Sequence, residues 1–559
     1  MTELNEIVID RKVPSVMRDG TTLYSDVYRQ KAEGRYPVIV ERVVYELDHR
    51  LEPYAEWYAS RGYVFVGQNS RGTFWSEGEW VPFADDGWGE RKDGYDTIDW
   101  AAAQPWSNGN VGTMDGSWSG HMQNLLAPTR PPHLKAMFER MAPARWDGNE
   151  GFDNVGLRVL ILAQLLIQAQ HPSASPEQRS HIEELESLIS NPVEVMSDLP
   201  SKNLPFTDDH HPGVAKGFNK SLGGPLNSHI DATLKVSEID IPIFHLGGWF
   251  DVFLPHTLDM FTGMSERGHS EQTRQSQRLL IGPWVHGPME PDASLQGDLE
   301  FGPDAVLSIN EFRKRWFDHY LNGEQNGADE LPRVQLFVMG PNHWRDFDTW
   351  PPPGMKDTRL FLGEESLSFD APNEESSSTS YDYDPSDPVL YYVGGRPGFD
   401  GLGPIDMTPG EDRMNVFTSE PLKKPITVIG SMSLKLYASS SAKDTDWFVT
   451  LTDVYPDGSS IRIRDGELRA RHRDGLDREV FIEPGQSYLF DIDLSATALE
   501  FAADHRVRIA ITSSQFPPRE RNMNTGGVNN EETSGIVAHN TILHERDHPS
   551  DIVLPVMEQ

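Results

Sequence analysis

The chain changes texture after Trp350, and that change constrains its fold more than any single motif. Before it, short β-branched runs alternate with helix-like segments. Tyr36–Val44 (YPVIVERVV) and Gly62–Gly67 (GYVFVG) read as strands bounded by Gly or Pro. Asp93–Gln104 carries Tyr95, Ile98 and Ala102 at helical spacing, and Asn110–Met114 is another short strand. The same pattern returns at Ile241–Gly247 and Arg278–Gly282. Strands alternating with helices predict parallel βαβ units joined by right-handed crossovers. After the Pro-rich 351–354 and the polar loop Asn373–Thr379, short strands dominate, among them Pro425–Tyr437, Asp446–Val454 and Val507–Ser513. Asp-Gly turns at 457 and 465 punctuate them, and no long helix interrupts. That texture predicts an antiparallel sandwich or jelly roll.

Between the two α/β-like halves, residues from about 146 to 235 read differently. Leu157–Ile167 (LRVLILAQLLI) contains Arg158 and Gln164 and falls short of the ~20 apolar residues a bilayer span needs, so it reads as a buried helix. Pro176–Ile189 places Ile182, Leu185 and Ile189 on one helical face. This is a helical insertion, open to a role as a lid or as a packing subdomain. A length of 559 residues fits three to four domains at roughly 150 residues each. The expected boundaries are 1–145 with 236–350 for a discontinuous α/β domain, 146–235 for the insertion and 351–559 for the β domain. There is no short-period repeat of the kind a solenoid or propeller needs.

Composition narrows the chemistry. With 86 acidic and 49 basic residues, the net charge of −37 argues against nucleic acid or an anionic membrane as partner. The chain has no cysteine, which excludes disulfides, a thiol nucleophile and thiolate metal sites. Any covalent step then falls to Ser, Thr, Asp, Glu or Lys. The start, MTELNEIVID, lacks the charged and apolar regions of a secretory signal, so a cytoplasmic protein is expected.

The sharpest local signal is Val111-Gly-Thr-Met-Asp-Gly-Ser117-Trp-Ser-Gly120, a short strand running into a helix-like segment. A nucleophile elbow needs that layout, with small neighbours where strand and helix backbones approach closely. The usual Gly-x-Ser-x-Gly is not met: Asp115 stands two before Ser117, and glycine follows at +3. Order along the chain adds weight. Asp251 follows the run Ile241–Phe250, and His286 ends Gly282-Pro-Trp-Val-His286, so each sits in a loop just past a strand. Ser, Asp and His in that order, each at a strand end, point to a catalytic triad of an α/β-hydrolase.

The sequence resembles the cocaine esterase/X-prolyl dipeptidyl peptidase family of serine hydrolases nearly from end to end. The resemblance is carried by Met17-Arg-Asp-Gly20, Ser25-Asp-Val-Tyr28, Arg71-Gly72, Ser76-Glu-Gly78, Asp96–Trp100 (DTIDW) and Trp106–Gly112 (WSNGNVG). It continues through Gly248–Asp251 (GWFD), Gly282–His286 (GPWVH), Phe337–Gly340 (FVMG) and Arg521–Gly527 (RNMNTGG). The family's elbow, Gly-x-Ser-Tyr-x-Gly, aligns Ser117 as nucleophile and accounts for Gly120. The resemblance implies Asp251 and His286 as the other triad members, and an α/β-hydrolase domain with an inserted helical domain and a C-terminal jelly roll. It also implies an oxyanion hole formed by the Trp118 N–H and the Tyr45 hydroxyl.

Two departures from the family pattern stand at the elbow: Asp115 replaces glycine and Trp118 replaces tyrosine. His121 reads as an ordinary residue of the following helix. His210-His211, preceded by Asp208-Asp209, reads as solvated rather than as a metal site, and no metal or cofactor is expected. Trp146, Trp249 and Phe253 are candidates for an apolar acyl pocket. Asp147, Glu150 and Asp153 could meet an amine, or simply begin a solvated helix. The expected activity is hydrolysis of small-molecule esters through an acyl-enzyme, with amide cleavage (acylase or X-Pro dipeptidyl peptidase) as the alternative. A non-catalytic binding protein is the class to exclude. The partner expected is a small-molecule ester or amide, and a homodimer is compatible with the sequence.

Overall fold

The computed structural model describes residues 4–145, 155–190, 197–201, 203, 210, 230–287, 293–390, 403–476, 478–528 and 531–558. The first half begins with a hairpin, β1 (Ile7–Val16) and β2 (Thr22–Gln30), followed by β3 (Tyr36–Val43), α1 (Leu47–Ala59), β4 (Val64–Asn69) and α2 (Asp93–Ala103). Next come β5 (Ser107–Gly116), α3 (Ser117–Leu126) and β6 (Leu134–Arg140). The insertion supplies α4 (Val155–Gln170) and α5 (Ile182–Ser190). The chain returns as β7 (Ile243–Phe250), α6 (Leu254–Arg267), β8 (Arg278–Val285), α7 (Ile309–Asn322), β9 (Val334–Val338) and β10 (His343–Phe347). These ten strands form one sheet in the order β1-β2-β4-β3-β5-β6-β7-β8-β9-β10. From β4 to β9 neighbours run parallel, while β1, β2 and β10 are antiparallel additions at the edges.

A parallel sheet must be covered on both faces, and its strands show why this one is. Side chains alternate across a strand. Val38 and Val40 therefore face one way with Val64, Val66 and Val111, packing against Ile98 and Ala101 of α2 and Met260 and Met264 of α6. Ile39, Phe65, Met114 and Phe138 face the other way, against Leu51, Ala55 and Tyr58 of α1 and Trp316, Phe317 and Leu321 of α7. The layered arrangement is consistent with an α/β-hydrolase sheet.

Among the described residues, the C-terminal region is a β-rich unit of twelve strands. Its central strand, Ile426–Ser440, pairs antiparallel with Tyr488–Phe501, Ala538–Glu545 and Asp551–Met557. Along it Met432, Leu434, Leu436 and Ala438 are buried at period two, the pattern of a strand with one face on a core. That core is continuous with the first sheet: Trp249, Phe250, Val285 and Phe337 belong to the same apolar cluster as Leu434, Trp447 and Ile492.

Most predicted elements are present with ends moved by a few residues. The segment predicted as one amphipathic piece over 176–189 is two helices, Pro176–Ser180 and α5, separated at His181. Ser175 and Gln178 close a capping box at the start of the first. The predicted face of α5 does pack inward, with Leu185 buried and Ile182 and Ile189 against the same cluster as Leu162 and Leu165 of α4.

Candidate active site

Backbone geometry singles out the turn from β5 into α3. Ser117 has φ +55° and Asp115 φ +87°, a left-handed region that non-glycine residues rarely enter. Such strain persists only where the surroundings over-determine it, and here they do. A Cβ on Gly116 would stand 2.1 Å from the Arg140 carbonyl oxygen, so no other residue fits between β5 and β6. A Cβ on Gly120 would stand 2.5 Å from the Ala142 Cβ. That is the physical reason for the glycine three after the serine, in place of the usual +2. The Ser117 N–H donates to the Met141 carbonyl at 3.2 Å, and the Gln123 amide donates to the Asp115 carbonyl at 2.8 Å.

Three strand ends bring three side chains together. Asp251 is the residue after β7 and is fully buried, and His286 is the residue after β8. The His286 Nδ1 lies 2.8 Å from Asp251 Oδ1, and its Nε2 lies 3.0 Å from Ser117 Oγ. A buried carboxylate can only accept, so Nδ1 carries the proton and Nε2 is left to accept from the serine hydroxyl. This arrangement can take a proton from Ser117 as the hydroxyl attacks an electrophile, then return it to a leaving group.

Asp115, the unusual residue of the elbow, is drawn toward α7. Its Oδ1 accepts from Arg140 Nη2 at 3.1 Å and from Arg313 Nη2 at 3.0 Å. All three side chains are largely buried. A carboxylate where the family pattern has glycine is thus matched by two cations. Neither Arg140 nor Arg313 was singled out in the sequence, because they meet Asp115 only once β6 and α7 are folded against β5.

Trp118 stacks on Phe83 at 4.2 Å and lies near Trp80, and its backbone N–H is in the first turn of α3, where no intrahelical acceptor exists. Tyr45 follows β3 and packs in the same apolar cluster as Trp118 and Phe253. Phe253 meets the His286 ring edge-to-face at 5.2 Å. Ile161, Leu162 and Leu165 of α4 complete this wall, and the Gln164 amide bonds the Val44 carbonyl beside Tyr45. The insertion is therefore packed directly over the elbow.

Trp249 corrects an expectation. It does not line this wall: it is fully buried in the core shared with the β-rich unit, its indole donates to the Phe337 carbonyl at 2.7 Å, and its ring lies against Trp350. The pairing of β7 with β8 shifts register between Gly248 and Phe250, so spacing from Asp251 does not fix the direction of Trp249. Trp146, Asp147, Glu150 and Asp153 lie outside the described residues, as do His211, Asp208 and Asp209. His210 stands beside His181, rings 4.2 Å apart, and with Glu184 makes a group whose ligand atoms lie within 4.8 Å of one another. Glu184 and His210 are exposed.

His121 is a fully buried residue of α3. Its Nδ1 contacts the Pro143 carbonyl at 2.9 Å, and burial pushes its pKa down to about 4. His256, stacked on Phe253, is likewise held well below the usual imidazole range by burial. Two neutral imidazoles thus back the wall beside His286.

With this geometry in place, known proteins can be compared. Residues 19–288 match the X-Pro dipeptidyl-peptidase (S15) family, and residues 326–553 match the X-Pro dipeptidyl-peptidase C-terminal non-catalytic domain. The cocaine esterase of Rhodococcus sp. (strain MB1 Bresler) is 33% identical, over 97% of this chain and 97% of its own. The chain belongs to the cocaine esterase/X-Pro dipeptidyl-peptidase family. Like its relatives it is a hydrolase. Two solved structures share its fold, each at 22% identity and a TM-score of 0.79. One is an aminopeptidase from a marine sediment Thaumarchaeota archaeon, covering 100% of this chain and 98% of its own. The other is an α-amino acid ester hydrolase, covering 99% and 97%. Among the described residues of this family member, no helix is long and apolar enough to cross a membrane.

Proposed function

We propose that the protein is a serine hydrolase of small-molecule carboxylic esters, with Ser117 as nucleophile, His286 as general base and acid, and Asp251 as the group that orients the imidazole. One observation supports this above all: the unbroken chain Asp251 Oδ1, His286, Ser117 Oγ at 2.8 and 3.0 Å, with Ser117 on a strained elbow. In this reading Ser117 attacks the ester carbonyl as His286 takes its proton. Asp251 stabilises the imidazolium without itself being protonated. His286 then protonates the departing alcohol, and a water activated by the same imidazole releases the acid from the acyl-enzyme.

The oxyanion is assigned to the Trp118 N–H and the Tyr45 hydroxyl. One preorganised donor of this kind is worth about 10²–10³ in rate. Phe253, with the aromatic and aliphatic groups around Trp118, is assigned to the wall that meets the apolar part of the substrate. Ester preference is supported by the cocaine esterase likeness, which spans nearly both chains. The match to the X-Pro dipeptidyl-peptidase family supports the alternative, cleavage of amide bonds.

The same proposal covers architecture. Residues 1–145 and 236–350 form the α/β-hydrolase domain, 146–235 its helical insertion, and 351–559 a C-terminal jelly roll, supported by the mainly antiparallel pairing there. A cytoplasmic location and a small-molecule partner rest on the sequence alone.

The deciding experiment is labelling with an active-site fluorophosphonate, followed by peptide mapping and p-nitrophenyl ester turnover. Modification of Ser117, with labelling and turnover both abolished in Ser117→Ala, is the expected result. Folded protein that reacts elsewhere or not at all would sink the triad. Matched esters and amides then separate the two readings: faster amide cleavage would reverse the preference.

A further inference from the structure

We propose that Arg464, from the C-terminal β-rich unit, is a positioning residue for the triad acid Asp251. The inference rests on the triad proposed above. Arg464 lies on the strand Ser460–Arg469, within the region that matches a domain described as non-catalytic. Its guanidinium Nη1 donates to the Trp249 carbonyl at 2.8 Å and reaches the Asp251 carbonyl at 3.5 Å. The Trp249 carbonyl lies near the end of β7, where its pairing with β8 shifts register, and the Asp251 carbonyl lies in the turn to α6; this stretch of backbone decides where the Asp251 carboxylate stands.

Within the first sheet the turn is held in part by its own backbone. The Asp251 N–H donates to the Gly248 carbonyl at 3.1 Å, and the Asp251 carbonyl accepts from the Leu254 N–H at 3.3 Å, a turn just ahead of α6. Two further contacts come from beyond β8. Trp249 is pinned by its indole to Phe337 at the end of β9, and Arg464 caps the carbonyls. A hydrogen bond from a cation is shorter and stronger than a neutral one, which suits a carbonyl that has left the sheet ladder.

The β-rich unit also braces the other strand end of the triad. The Val285 N–H, next to His286, donates to the Gln296 side chain at 3.0 Å. The segment just beyond Gln296 is tied to the loop at 404–406: the Asp298 N–H donates to the Pro404 carbonyl at 2.9 Å, and its carboxylate accepts from the Asp406 N–H at 3.0 Å. Arg464 itself is half-buried, in the field of Asp493 on the adjacent strand Tyr488–Phe501, with Asp465 next in sequence and Asp259 of α6 beside Asp493.

The test compares Arg464→Ala and Arg464→Lys with wild type in full-length protein. It measures ester kcat and KM per titrated active site, the rate of fluorophosphonate labelling at Ser117, and melting temperature. A misplaced acid lowers the reactivity of the serine without changing what the acyl wall binds. Arg464→Ala is therefore expected to lose about 10–100-fold in kcat and in labelling rate, with KM within about twofold. Lysine keeps one donor on a stem of similar reach, so Arg464→Lys is expected to recover most of the loss. A folded Arg464→Ala with wild-type labelling rate overturns the proposal, as does a lysine variant no better than alanine. Should Arg464→Ala not fold, Arg464→Lys and Arg464→Gln carry the comparison, glutamine keeping a neutral donor and falling between the two. Wild-type protein that never labels at Ser117 would instead overturn the triad, so the two failures are distinct.

Discussion

The two sides of the Ser117–His286–Asp251 chain are held in different ways. The serine side is secured within its own sheet: Gly116 lies against the Arg140 backbone, Gly120 against Ala142, and Asp115 between Arg140 and Arg313. The acid side also draws on a second unit, through Arg464 on the Trp249 and Asp251 carbonyls. Nucleophile strain is thus set by β5, α3, β6 and α7, all around the first sheet. The placement of the acid is shared with a β-rich unit more than two hundred residues away in sequence. Every proposed triad member lies in the first sheet, yet the backbone around Asp251 also meets the β-rich unit.

The sharpest way to break this contrast is at Gly116. In Gly116→Ala the new methyl would meet the Arg140 carbonyl at 2.1 Å, and backbone on both sides must move. Loss of at least about 10²-fold in labelling and turnover is expected, along with a lower melting temperature, because a shift of about 1 Å at a reacting atom costs that much. Activity within a few-fold of wild type would mean that the elbow is not locally over-determined.

Next in size is Arg313→Met. It leaves Asp115 buried with Arg140 as its remaining cation, and a destabilisation of up to about 3 kcal/mol is expected in urea unfolding. Combining it with Asp115→Asn should recover most of the loss, since the pair goes together. If the double variant is as unstable as the single one, Arg313 acts through packing on Phe138, over which its guanidinium lies at 5.4 Å, rather than through charge.

The smallest effect is expected at Trp249. Trp249→Phe removes the donor to the Phe337 carbonyl and should cost about 1 kcal/mol of stability, leaving KM for an ester within about twofold. A large rise in KM would return Trp249 to the substrate wall and undo the distinction between a pocket at the elbow and a structural anchor at the acid.

Much of this was legible in the sequence because it is local. Strand β3 was read from its β-branched run, α2 from Ile98 and its neighbours, and the break after Trp350 from turn chemistry. These signals come from side-chain periodicity, which needs no partner. The three proposed triad positions were legible because each stands at a strand end. Other elements were not read. Helix α1 carries Pro53 and little apolar periodicity, and it forms because Leu51, Ala55 and Tyr58 find a sheet face to cover. Helix α7 is rich in charge, and Trp316 and Phe317 commit it to the sheet.

Sequence by itself determined that the chain would fold as an α/β region, a helical insertion and a β-rich region, and which serine, aspartate and histidine would stand at strand ends. Tertiary structure decided which way the neighbours of those residues face. It turned Trp249 into a core anchor, paired Asp115 with cations from β6 and α7, buried His121, and set Arg464 over the Asp251 turn. Periodicity along one chain reports what each element needs to bury. Contacts across hundreds of residues depend on how the elements are stacked, and no spacing in the sequence encodes that directly.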